Sequence, residues 1–85
     1  MTKLRLRRNS VNHVVTKWHA TLGGMHAVED YRVRFLGRGL WRITEEDGYW
    51  YNMGTSKLQR FFNGWVSDDP SHYEEIFYTV GARVY

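Results

Sequence analysis

The chain contains no cysteine and a single proline, Pro70, among its 85 residues. Without cysteine there is no disulfide framework, no thiolate nucleophile and no Cys-ligated zinc. No apolar run approaches the ~20 residues needed to cross a bilayer, so no transmembrane helix is expected. The opening Met1-Thr2-Lys3-Leu4-Arg5-Leu6-Arg7-Arg8 lacks the apolar stretch of a secretion signal, which points to the cytoplasm. Walker loop, Rossmann fingerprint, GxSxG elbow and HExxH are all missing. The expectation is therefore a non-enzymatic protein with no cofactor and no metal.

What is present is charge of one sign, unevenly placed. Residues 1–42 carry nine bases against two acids, a net +7, whereas residues 43–85 carry three bases against seven acids, a net −4. Such asymmetry turns one pole toward something anionic, unless the two poles simply attract each other within the fold. Arginine outnumbers lysine nine to three. Guanidinium groups bind phosphates and carboxylates in planar, bidentate fashion and stack on aromatic rings, which a lysine point charge does not do.

The periodicity changes along the chain. Lys3 to Arg8 alternates base and leucine, the pattern of a strand with Leu4 and Leu6 turned to a core. Val11, Val14, Val15, Trp18 and Leu22 share one helical face, with Asn9 and Ser10 as caps and Gly23-Gly24 as a stop. Tyr31 to Phe35, Leu40 to Thr44 and Tyr49 to Met53 read as three strands joined by turns at Gly37-Arg38-Gly39 and Glu45-Glu46-Asp47-Gly48. Leu58, Phe61, Phe62 and Trp65 then keep helical spacing behind Gly54-Thr55-Ser56, with Asn63-Gly64 near the end. Asp68-Asp69-Pro70 carries the signals of another helix start, with Tyr73, Ile76, Phe77 and Val80 as its stripe. Ala82 to Tyr85 reads as a last strand. The expected order is β-α-β-β-β-α-α-β: one α+β domain over residues 1–85, a mainly antiparallel sheet of three to five strands packed against two or three helices.

Three constellations carry chemistry. In the first, Arg5, Arg7, Arg32, Arg34 and Arg42 project from one side of the sheet, a dense cationic patch when strands lie about 4.8 Å apart. An anionic partner neutralises it, or Glu29, Asp30 and the Glu45-Glu46-Asp47 turn do so internally. The second is aromatic: of fourteen Phe, Trp and Tyr, ten follow residue 48, more than a core of this size easily encloses. Trp50, within Tyr49-Trp50-Tyr51, is the residue expected to stand exposed, and Trp65 is a second apolar anchor. The third is histidine: His13 or His26, near Tyr31, Arg32 and Arg34, is a candidate general acid/base for RNA cleavage. His13 and His19 are six apart and do not form an i, i+4 metal clamp.

Phe61-Phe62-Asn63-Gly64-Trp65, then Glu74-Glu75 and Phe77-Tyr78, resembles the C-terminal half of small phage anti-CRISPR inhibitors of an RNA-guided nuclease over roughly 30 residues. That resemblance implies inhibition of a host defence system, although inhibitors that imitate DNA are acidic and this chain is basic. Tyr31-Arg32-Val33-Arg34-Phe35 with its following strand is similar to the sheet of RelE-like ribosome-dependent RNase toxins. This one implies Arg and Tyr side chains cleaving mRNA from the sheet face. The leading expectation is a small binding protein of phage or mobile-element type, monomer or homodimer. It docks a cationic, aromatic-edged face of Arg32, Arg34 and Arg42 with Trp50 and Trp65 on a host protein or ribonucleoprotein complex, not a membrane. Direct nucleic-acid binding through Arg5, Arg7, Arg32 and Arg34 is the first alternative, and the RNase toxin the second.

Overall fold

A computed structural model describes residues 4–9 and 11–81. It contains β1 (His13–Thr21), β2 (Gly24–Gly37), β3 (Leu40–Thr44), β4 (Trp50–Gly54), α1 (Thr55–Phe61), β5 (Trp65–Val66) and β6 (Glu74–Gly81). The strands form one six-stranded sheet in the order β4-β3-β2-β1-β6-β5, and every pairing is antiparallel. The sheet curls into a half-barrel. The expected α+β layering of three to five strands on two or three helices is therefore corrected: the chain is mostly β-sheet, with one α-helix.

The expected helix over 11–22 is instead β1, and the reason lies in its side chains. Val14, Val15, Thr16 and Thr21 are β-branched, stiff at χ1 and better suited to a pleated surface than to a helix. β1 pairs with β2 on one side and β6 on the other, and Val15 and Thr16, on opposite faces, are both buried. A strand covered on both faces loses the simple alternation that marks a half-exposed one. Gly23-Gly24 closes a hairpin rather than stopping a helix, because Thr21 pairs with Gly24 and Gly24 takes φ 131°.

The expected second helix exists but is shorter. It ends at Phe61, and Trp65 lies in β5, paired with Ile76. The helix-start signals at Asp68-Asp69-Pro70 produce one 3-10 turn, Pro70–His72, capped by the Asp69 carboxylate accepting from Ser71 N. Beyond it, Ile76, Phe77, Tyr78, Thr79 and Val80 favour an extended chain, and β6 pairs with β1 along its whole length. Residues 4–9 hold no regular strand, yet Leu4 and Leu6 still pack on the core. The expected strand over 82–85 and the side chain of Lys3 lie outside the described residues. The three strands expected between Tyr31 and Met53 are present as the end of β2, β3 and β4.

The core sits on the concave face. Val15, Tyr31, Val33, Trp41, Ile43 and Met53 meet Leu58 of α1 and Phe62 just beyond it. Phe62 touches Tyr31 of β2 at 5.6 Å and Tyr78 of β6 at 5.2 Å between ring centroids, so this end of α1 ties two strands that are not neighbours. α1 and the 4–9 segment thus occupy the concave side and leave the convex side of β2, β3 and β4 open. Among the described residues no helix is long and apolar enough to cross a membrane.

Candidate binding face

Alternation assigns the convex side chains. With Val33, Trp41, Ile43 and Met53 in the core, Arg32, Arg34, Leu40, Arg42, Trp50 and Asn52 must face away. The register then brings them together. Arg34 stands directly opposite Arg42, Arg42 opposite Asn52, and Thr44 between Arg32 and Trp50. Arg42 leans diagonally toward the β4 edge, its guanidinium 4.0 Å from the Trp50 ring centroid while its Nε donates to Asn52 Oδ1 at 3.1 Å. Trp50 remains 52% exposed, so the cation–π contact covers one ring face and leaves the residue available to a partner.

The acids expected to neutralise this patch each hold a hydrogen bond, and the Asp30 carboxylate, on the same face as Arg32, accepts from Thr16 Oγ1 at 2.7 Å. Tyr31 Oη donates to Glu29 at 2.6 Å and Tyr51 Oη to Glu45 at 2.9 Å. Asp30 N donates to Glu46 at 2.6 Å, and Tyr49 N to Asp47 at 2.9 Å. Burial, then the adjacent carboxylate, pushes the Tyr31 and Tyr51 phenols well above their usual range. Burial likewise raises Tyr78, with the charge of Glu29 adding to it. Among the described residues no arginine is in ion-pair contact with a carboxylate; the two such contacts use histidine, His19–Glu74 and His72–Asp69. Arg34 and Arg42 are thus like charges on directly opposite residues of the β2–β3 ladder, and among the described residues neither has an ion-pair partner, Arg42 being held instead by Trp50 and Asn52.

The remaining expected site residues are not part of this face. Arg5 and Arg7 lie in the segment over the concave side, where His13 Nε2 sits 3.2 Å from Arg7 N and 3.1 Å from Arg7 O. Trp65 is half-exposed on β5, five strand positions from β4 and about 24 Å across the sheet. His13 tethers that segment, and His26 packs edge-on against His19 at 5.3 Å. His13 and His26 belong to opposite ends of the β1–β2 hairpin, since His26 pairs with His19 and His13 with Val33. They do not form a joint acid–base pair. Among the described residues no group of three or more His, Cys, Asp or Glu is placed to hold a metal ion.

Asn52 was missed from the sequence, although it was legible there. A hairpin folded about Asp47 pairs positions 44 with 50 and 42 with 52, which places Asn52 beside Arg42. Arg38 is a second omission: it sits at the β2–β3 turn with φ 53°, between Gly37 and Gly39, themselves at positive φ. Here an arginine occupies a backbone region that favours glycine, placing one more cation at the β2–β3 turn.

No family model matches the chain, and neither a curated protein nor a solved structure matches it. The functional reading rests on the chemistry of this face.

Proposed function

We propose that the chain is a non-enzymatic binding module that docks the convex face of β2, β3 and β4 on an acidic surface of a nucleic-acid-handling protein or ribonucleoprotein complex. Arg32, Arg34 and Arg42 recognise the negative charge, and Trp50 with Leu40 supplies the apolar contact. The observation that carries this reading is the Arg34–Arg42 pair, without an ion-pair partner among the described residues, beside an exposed tryptophan. Tryptophan and arginine dominate the energetics of protein interfaces, and charge complementarity sets their specificity. Trp50 already has one ring face covered by Arg42, which suits an interface anchor better than a platform for successive bases.

Direct nucleic-acid binding is the second reading, favoured by the same arginines on one face, because phosphates also neutralise them. Affinity capture from nuclease-treated lysate of the expressing cell separates the two. Docking on protein predicts a complex that survives nuclease and is lost with Arg34→Glu. It also predicts that Trp50→Ala weakens the complex about thirtyfold, the ~2 kcal/mol of an interface anchor. Loss of the complex on nuclease treatment, with a salt slope that falls by about one for each arginine removed, would establish nucleic acid instead.

A further inference from the structure

Resting on the protein-docking reading, we infer that the outer edge of β4 is a strand-addition site for an extended acidic segment of the partner, with Arg42 as its carboxylate-binding residue. Among the described residues β4 is the last strand of the sheet, so one of its edges has no neighbouring strand. Which backbone groups are open follows from the bonds on its inner side. Tyr49 O accepts from Glu45 N at 2.8 Å, and Thr55 N donates to Gly39 O at 3.1 Å. Odd-numbered residues therefore point their N–H and C=O groups at β3, and Trp50 and Asn52 point theirs outward. A row of such groups is a template for another strand.

The charge beside that edge selects the strand. In an antiparallel pair, residues directly opposite each other share one face of the sheet, and those that lie opposite residues whose groups point outward, such as Trp50 and Asn52, exchange both hydrogen bonds with them. Partner residues opposite Trp50 and Asn52 thus carry their side chains onto the convex side. There the Arg42 guanidinium has been drawn from β3 across Trp50 toward the edge, with Nε held by Asn52. Its terminal nitrogens are presented to a carboxylate on the added strand. The favoured ligand is an extended segment of alternating acidic and apolar residues, with the acidic ones making the backbone bonds to β4.

A capped peptide of alternating valine and glutamate, titrated onto the intact chain by fluorescence anisotropy, tests this. Replacing its glutamates by lysine is expected to weaken binding at least tenfold, as is Arg42→Ala in the protein. N-methylation of the glutamate amides is expected to weaken it about tenfold, whereas N-methylation of the valine amides, which face away from β4, leaves it within about twofold. Asn52→Pro removes an outward N–H without touching the β3 ladder and is expected to match the glutamate methylation. Asn52→Ala, which keeps that N–H, is expected to lose less, with far-UV circular dichroism confirming that both variants fold. Equal binding of the two N-methylated peptides, or of the glutamate and lysine peptides, overturns the inference. If Asn52→Pro leaves capture of the cellular partner intact while Arg34→Glu abolishes it, strand addition is wrong and face docking stands. If Arg34→Glu and Trp50→Ala both leave capture unchanged, face docking itself is wrong and strand addition falls with it.

Discussion

Single side chains and single backbone angles hold the points on which this fold turns. Gly64 links α1 to β5 at φ 57°, and a Cβ there would lie 2.3 Å from the Ile76 carbonyl oxygen. The left-handed region alone costs a non-glycine residue about 1–2 kcal/mol. At Gly64 a backbone collision is added, since neither β6 nor the 62–65 turn can yield without breaking the Trp65–Ile76 pairing. Gly48, at φ 92° with nothing within 4 Å of its added Cβ, carries only the conformational cost. Urea denaturation should therefore find Gly64→Ala markedly more destabilising than Gly48→Ala, and equal losses would show that the β5–β6 approach is soft. Tyr31 makes a different commitment, to pH. Its phenol stays protonated in the folded chain well beyond the point, near 10, at which the unfolded chain ionises. Above that pH the unfolded state binds fewer protons than the native one, so stability present at neutral pH falls as pH rises, by up to about 1.4 kcal/mol per unit. Tyr51 and Tyr78 act in the same sense. Thermal melting between pH 8 and 11.5 should show this alkaline decline. Tyr31→Phe should make it shallower while losing about 1 kcal/mol at neutral pH with the Glu29 hydrogen bond.

At the scale of elements, β1 and β2 have two very different halves. Through Val14–Thr16 and Arg32–Val33 the hairpin has partner strands on both sides and the core beneath it. Past the register shift at Lys17/Trp18, the Gly24–Val28 stretch of β2 pairs only with β1 and is exposed throughout. Amide hydrogen exchange should be slowest at Val15 and Val33 and fastest, within β2, between Gly24 and Val28. Uniform protection along β2 would mean that this arm is covered by something else. The same contrast explains what could be read from the sequence. The meander from Tyr31 to Met53 was legible because each strand has one buried and one open face, so its residues alternate, and because glycine-bearing turns separate the strands. From that alternation follow the shared face of Arg32, Arg34 and Arg42 and the exposure of Trp50. β1 and β6 were read as helices because their apolar residues occupy both sides of a strand. Val14 with Val15 and Ile76 with Phe77 imitate the spacing of a helical stripe. Nor does any local pattern say that Trp65 is carried to the far edge, since its place depends on pairing with Ile76, eleven residues away.

For the molecule as a whole, the exposed surface is 6177 Å², above the about 5,300 Å² expected of a compact chain of this mass. An open half-barrel with apolar residues on one arm and cations on its convex side leaves surface that a closed fold would bury. The register sets Arg34 and Arg42, two like charges, across one ladder. Like charges directly across a ladder cost up to about 1 kcal/mol, and an opposite-charge pair in the same place gains a similar amount. Arg34→Glu is therefore expected to raise stability by about 0.5–1 kcal/mol while it abolishes docking, the trade expected where a surface is kept for function rather than for the fold. Salt gives the sign independently. Screening relieves the repulsion in the native chain, so its melting temperature should rise between 20 and 500 mM sodium chloride. The Arg34→Glu chain, which then holds an attractive pair, should lose stability over the same range. A variant that is destabilised, or a salt response of the same sign in both proteins, would mean that Arg34 and Arg42 do not face each other unneutralised, and the cationic face would lose its claim to be a docking surface.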